Sequence, residues 1–121
     1  MRAILVVEDD SDMLDTLAET LRTVGFQTHK VRNGAQALIE FRKLDPALVI
    51  VDEGLGTVSG STMLKVLRRM TRGARRPALF VTGSPETVRC QPGDVVLAKP
   101  LDVDAFLEAV LKLVPPEALA S

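Results

Sequence analysis

The sequence predicts a single doubly wound α/β domain, a (βα)5 unit whose five-stranded parallel sheet has the order 2-1-3-4-5, and three observations lead there. Short apolar runs rich in Val, Ile and Leu recur at residues 3–7, 47–51, 78–81 and 95–98. Runs that short and that uniformly apolar read as strands buried on both faces, the mark of a parallel sheet. Patterns with apolar residues at helical spacing lie between them. The chain has 121 residues, 46% hydrophobic and 26% charged, enough for one core and little else. Strands alternating with helices through right-handed crossovers then give the doubly wound sheet.

The first run stops at Glu8-Asp9-Asp10. It is too brief for the apolar stretch of a signal peptide behind Met1-Arg2, and no run approaches the roughly 20 residues of a membrane span. The first helix carries Met13, Leu14, Leu17, Ala18 and Leu21 on one stripe, with Ser11 as its expected cap. Residues 27–31 alternate polar and apolar, as an edge strand with one wet face does. The second helix shows its helical pattern in Ala35, Leu38, Ile39 and Phe41 and is expected to turn Arg42 and Lys43 outward; Asn33 and Gln36 form its expected N-cap and capping-box pair. The third helix ends in Arg68 and Arg69, followed by a long loop at 71–76 that adds Arg72, Arg75 and Arg76; such a charge run reads as a solvated face. Ser84-Pro85 and Pro92-Gly93 crowd the stretch after the fourth strand, so the fourth helix is expected to be very short or a turn. Asp102 caps the last helix, whose stripe of Phe106, Val110 and Leu113 ends before Pro115-Pro116. All of 1–121 is read as one domain with a short tail at 114–121.

Composition removes several function classes. Lys plus Arg number 15 and Asp plus Glu 16, a net charge of -1, so no overall positive field draws nucleic acid or an anionic membrane surface. Four Phe with no Trp and no Tyr leave almost no stacking platform for flavin, nucleobases or sugars. One cysteine, Cys90, makes no internal disulfide, and one histidine, His29, cannot join it in a zinc site of three or four ligands. A reducing, cytoplasmic compartment is the default expectation. His29, on the wet edge strand, reads as a solvated side chain.

In open α/β sheets ligands bind outside the carboxyl ends of the strands, so the residues that follow each run carry the chemistry. They are Glu8 and Asp9 after the first strand, Asp52 after the third, Thr82 after the fourth and Lys99 after the fifth; Arg32-Asn33, after the edge strand, offers nothing obvious. Three converging carboxylates stay ionised together only around a cation. With oxygen donors alone the hard ion Mg²⁺ is the natural occupant. Asp10 and Asp12 read instead as acids at a helix N-terminus. A carboxylate nucleophile, Mg²⁺, the compact charge of Lys99 and the hydroxyl of Thr82 make a phosphoryl-transfer set, since that reaction needs little beyond positioning and charge neutralisation.

These residues, with Leu55, Ser59-Gly60, Thr82-Gly83 and Lys99-Pro100, resemble the receiver domain of two-component response regulators, of the chemotaxis-regulator type, over essentially the whole chain. The resemblance implies a flavodoxin-like fold and a role for each position. Asp52 would accept phosphate from a histidine of a kinase or histidine phosphotransfer protein; Asp9, Asp52 and the Gly54 backbone carbonyl would ligate Mg²⁺, with Glu8 acting through water; Lys99 would pair with the phosphoryl oxygens; Thr82 would move to bond them. The Lys99-Pro100 bond is a cis-proline candidate. The protein would be no enzyme beyond its own phosphorylation and dephosphorylation, with no direct nucleic-acid binding and no membrane insertion.

Three departures bear on output. Gly56 stands where the family usually has proline, so the loop from Asp52 to Gly60, with three glycines, is expected to be looser. Thr82 and Lys99 are only 17 residues apart. Val96 replaces the usual switch aromatic. The last two fall on the surface that many receivers use to dimerise on phosphorylation and count against a phosphorylation-dependent homodimer. The short fourth segment resembles receivers of hybrid histidine kinases, whereas the Met1 start resembles a stand-alone regulator; both stay open. Competing functions are a Mg²⁺-dependent aspartyl phosphohydrolase, which usually needs an acid where Gly54 stands, and a receiver-like binding scaffold without phosphate-driven output.

Overall fold

The computed structural model describes residues 3–56, 58–70 and 76–114. Five strands, β1 (Ile4–Val7), β2 (Thr28–Val31), β3 (Leu48–Val51), β4 (Ala78–Thr82) and β5 (Val95–Ala98), pair in parallel in the order β2-β1-β3-β4-β5. The helices are α1 (Ser11–Thr23), α2 (Gly34–Leu44), α3 (Gly60–Met70) and α4 (Val103–Leu113), and a single 3-10 turn, Pro85–Thr87, stands between β4 and β5. Register follows the apolar runs: Ile4 pairs with Thr28 on one side and Leu48 on the other, and Phe80 with Val51 and Val96.

Because side chains alternate along a strand, the sheet builds two cores. Ile4, Val6, Leu48, Ile50, Leu79 and Val81 pack on one face against Leu14, Leu17 and Leu21 of α1 and Phe106, Ala109 and Val110 of α4. Leu5, Val7, Val49, Val51, Ala78 and Phe80 pack on the other against Ala37 and Phe41 of α2 and Met63, Leu64 and Leu67 of α3. On that second face no full helix follows β4. Val88, just after the 3-10 turn, joins Val96 there instead, and β5 is only half-buried, not buried as its apolar composition predicts.

The stretch that replaces the missing helix is tied down at both ends. The Arg89 amide donates to Ser61 Oγ (2.9 Å) in the first turn of α3, and Arg68, in its last turns, holds Asp94 (Nη1 to Oδ2, 2.9 Å). Residues 89–94 therefore run beside α3 as a strap. The Asp94 carboxylate also accepts the amides of Gln91 (2.9 Å) and Ala78 (3.3 Å). For Arg68 and Arg76 this corrects the reading of the arginine run as a solvated face, while Arg69 is exposed as expected. The Arg68 guanidinium is drawn inward, and Arg76 pairs with Asp45; Arg72 and Arg75 lie outside the described residues, as do most of the 71–76 loop and all but the first residue of the 114–121 tail.

Two caps follow the sequence and one does not. Asn33 Oδ1 accepts the Gln36 amide (2.9 Å) and Asp102 Oδ1 the Ala105 amide (3.1 Å). Gln36 reaches back to the amide of Arg32 (3.3 Å), one residue before the cap. At α1 the cap is Asp10, which accepts the Asp12 amide (3.0 Å), and Ser11 is the first helical residue. A carboxylate at this place also meets the positive end of the helix dipole. His29 is half-buried on β2 rather than solvated. Among the described residues no helix is long and apolar enough to cross a membrane.

Candidate functional site

Backbone bonds carry the sheet one residue past its strands and aim the polar side chains outward at its carboxyl edge. The Glu8 amide donates to the Val31 carbonyl (3.1 Å), the Asp52 amide to Val7 (3.2 Å) and the Lys99 amide to Thr82 (2.8 Å). The three side chains then meet. Lys99 Nζ lies 2.8 Å from Glu8 Oε1 and 3.2 Å from Asp52 Oδ2. Carboxylate oxygens of Glu8, Asp9 and Asp52 lie within 4.8 Å of one another, with Glu8 buried, Asp52 half-buried and Asp9 exposed. Glu8 Oε2 is buried and has no hydrogen-bond partner. An orphaned buried carboxylate oxygen inside an all-oxygen donor set is what a hard divalent cation satisfies, so the residues fit Mg²⁺.

The electrostatics are those of a crowded anionic cleft with Lys99 paired to two of its acids. Burial pushes the Glu8 carboxyl up to about 7; Lys99 pulls it down, and Asp52 pushes it up again. Burial alone would raise Asp52 as well, but bonds from the Thr82 hydroxyl, Glu8 and the Gly54 amide, with the charge of Lys99, hold it below its ordinary value. Burial would lower Lys99, and the two acids outweigh it and raise it. The acid beside Lys99 that stays ionised most readily is therefore Asp52, and the one that keeps a proton most readily is Glu8.

The remaining predicted residues surround this cluster. The Gly54 amide reaches Asp52 Oδ1 (3.3 Å), so its backbone lies against the acceptor carboxylate. Thr82 is buried, and its Oγ1 accepts the Ser84 amide (3.1 Å). Lys99-Pro100 is a cis peptide. Val96 is half-buried on the α3 side of β5.

Hydrogen bonds cross the described part of the Asp52 loop. Leu55 and Gly60 both donate to the Glu53 carbonyl (3.2 and 2.8 Å), and Gly54 bridges Ser59. Gly56 takes a positive φ of 89°, which glycine permits and proline cannot. Gly60 serves a different need: a Cβ there would strike the Asp52 carbonyl oxygen. It lets α3 start against the acceptor residue.

Two contributors were not legible. Arg32 Nη2 donates to the Asp9 carbonyl (3.1 Å), so the edge strand does reach the site. Glu53, next to Asp52, is buried and accepts both the amide (2.6 Å) and the hydroxyl (2.8 Å) of Ser61. A run of Asp-Glu-Gly reads as a solvated turn, and the only available signal was a Ser one residue after Gly60, at the start of α3.

The family model described as response regulator receiver domain matches residues 4–111. The DNA-binding response regulator MtrA of Mycolicibacterium paratuberculosis is 34% identical over 117 residues, 97% of this chain and 48% of that protein. The chain thus spans about half the length of that relative. The polar-differentiation response regulator DivK of Brucella anthropi is 27% identical over 114 residues, 90% of this chain and 93% of its own. A solved CheY-like response regulator receiver domain from Methylobacillus flagellatus superposes with a TM-score of 0.83 at 29% identity, covering 95% of this chain and 99% of that one.

Proposed function

The chain belongs to the response regulator receiver domain family, and from that premise we propose that residues 1–121 act as a phosphoacceptor module with Asp52 as the acceptor. The observation that carries this reading is the convergence of Lys99 Nζ on Asp52 Oδ2 and Glu8 Oε1 at the carboxyl edge of the sheet. An oxygen of the Asp52 carboxylate attacks the phosphorus of a phosphohistidine on a histidine kinase or phosphotransfer protein. The P–N bond breaks as the P–O bond forms, and the released imidazole nitrogen takes its proton from solvent. Lys99 balances charge on the phosphoryl oxygens, and the Thr82 hydroxyl turns its proton from Asp52 to a phosphoryl oxygen, its Oγ1 still free to accept the Ser84 amide. Asp9, Asp52 and the Gly54 carbonyl would hold Mg²⁺, with Glu8 acting through water, and the ion would neutralise charge on the transferred group.

These groups serve the domain's own phosphorylation and dephosphorylation, not turnover of a separate substrate. With Val96 in place of an aromatic and a strap in place of the fourth helix, output runs through the 83–94 stretch rather than a phosphorylation-dependent dimer. Incubation with Mg²⁺ and acetyl phosphate, followed by intact mass measurement, is expected to show one added phosphoryl group on the wild type and none on Asp52→Asn. Unmodified wild-type protein with acetyl phosphate, phosphoramidate and cognate kinase alike would overturn the reading.

A further inference from the structure

Glu53 is a buried acid, 7% exposed, in the position directly after the acceptor. Its Oε1 accepts the Ser61 amide at 2.6 Å, and both of its oxygens lie 2.8 Å from Ser61 Oγ. A serine hydroxyl has one proton to give and lone pairs to spare. With that proton donated to the Glu53 carboxyl, the Ser61 Oγ lone pairs accept the Arg89 amide at 2.9 Å. The series Asp52, Glu53, Ser61, Arg89 is thus covalent at its first link and hydrogen-bonded at the next two.

Glu53 also anchors α3. The first four amides of that helix have no intrahelical acceptor. Gly60 donates to the Glu53 carbonyl and Ser61 to its carboxylate, while Thr62 and Met63 donate to the side chain (3.1 Å) and carbonyl (3.0 Å) of Ser59. A carboxylate at a helix N-terminus is also favoured by the helix dipole. Arg89 in turn opens the strap, whose far end is held by Asp94 and Arg68. Thr82, through the Ser84 amide, touches the chain ahead of the strap from the β4 side.

We propose that Glu53 is a positioning residue whose bond to Ser61 transmits the state of Asp52 to Arg89 and the strap, as a route separate from Thr82. The inference rests on the phosphoacceptor reading. The buried Glu53 side chain is bonded to the amide and hydroxyl of Ser61 at 2.6 and 2.8 Å, so a shift of the Asp52 backbone moves Ser61 Oγ and the amide that depends on it. Ser61→Ala removes the hydroxyl and leaves the Ser61 amide on Glu53, so the acceptor loop keeps its anchor.

The test is the response of backbone amide resonances to Mg²⁺ with beryllofluoride in wild type, Ser61→Ala and Ser61→Thr. In wild type both Ser84 and Arg89 are expected to shift. In Ser61→Ala the Arg89 shift is lost while the Ser84 shift stays, and Ser61→Thr, which keeps a hydroxyl, restores it. An Arg89 response in Ser61→Ala equal to wild type, with Asp52 and Ser84 shifting normally, overturns the coupling alone. A wild-type spectrum that beryllofluoride leaves unchanged overturns the phosphoacceptor reading and the coupling together.

Discussion

Glu8 is 1% exposed, and burial pushes its carboxyl up to about 7 from an ordinary 4.5, although Lys99 at 2.8 Å pulls the other way. Its folded-state value lies above its unfolded one, so the folded protein holds a proton that the unfolded chain has released. That contribution to stability is complete below about 4.5 and is lost as pH rises through about 7. Asp52 has the opposite sign: its carboxyl is held low, so its contribution is present above its unfolded value of 3.8 and lost only in acid below that. The two windows do not overlap. In chelator, urea melts are expected to show stability falling by on the order of 3 kcal/mol from about pH 4.5 to about pH 8, with Glu8→Gln flat across that range. A wild-type curve as flat as the variant's would show that Glu8 titrates normally. At this scale the sequence was legible where position alone decides. Asp9, Asp52, Thr82 and Lys99 stand at strand ends, and the strands were readable. Glu53 was not, because a buried acid differs from a solvated one only through its partner, here Ser61, eight residues on. Asp10 displaced Ser11 as cap for a similar reason: both are good caps, and which one turns helical is set by how β1 leaves the sheet.

Among the elements, the strap is where the fold departs most from a full doubly wound unit. Proline and glycine placement, with the short Thr82 to Lys99 spacing, predicted that the fourth helix would shrink, and a single 3-10 turn is what remains. Nothing in that pattern told what would hold the segment in the helix's place. Asp94 follows Pro92-Gly93 and reads as a turn acid, and its partner Arg68 sits 26 residues earlier in a run of arginines. Helical phase was the available signal: Arg68 comes four residues after Leu64 and one after Leu67, both buried, so it leaves the helix on the core side. The Asp94 side chain is 0% exposed and Arg68 14%, and removing one partner leaves the other's charge buried. Asp94→Ala is therefore expected to cost on the order of 3 kcal/mol in a urea melt. Arg76→Ala, which breaks a pair whose Asp45 side chain is 64% exposed, is expected to cost under about 1 kcal/mol. Equal losses in the two variants would mean that the strap is held by Val88 and Val96 in the second core rather than by its ion pair.

For the whole molecule, one cluster joins three strands that are distant in sequence. Glu8 belongs to β1's end, Asp52 to β3's and Lys99 to β5's, and Lys99 reaches Glu8 across 91 residues of chain. The unfolded chain cannot assemble that donor set, so any cation that binds it binds the native state alone and stabilises it by mass action. At a concentration about a hundred times its dissociation constant, Mg²⁺ adds about 2.7 kcal/mol, which for a domain of this size is a rise in Tm of about 10 °C. The gain depends on pH through Glu8. Below about 7 the cation must displace its proton, and above that value the carboxylate is already ionised and the site short of positive charge. The Mg²⁺-induced rise in Tm is accordingly expected to be larger at about pH 8 than at about pH 6, in the direction opposite to the metal-free trend. Asp9→Asn, whose side chain is exposed, should lose the rise while melting near wild type without metal. That separates a cation held by the predicted ligands from general screening of a crowded anionic edge, which would survive the substitution and appear equally with Na⁺ at matched ionic strength.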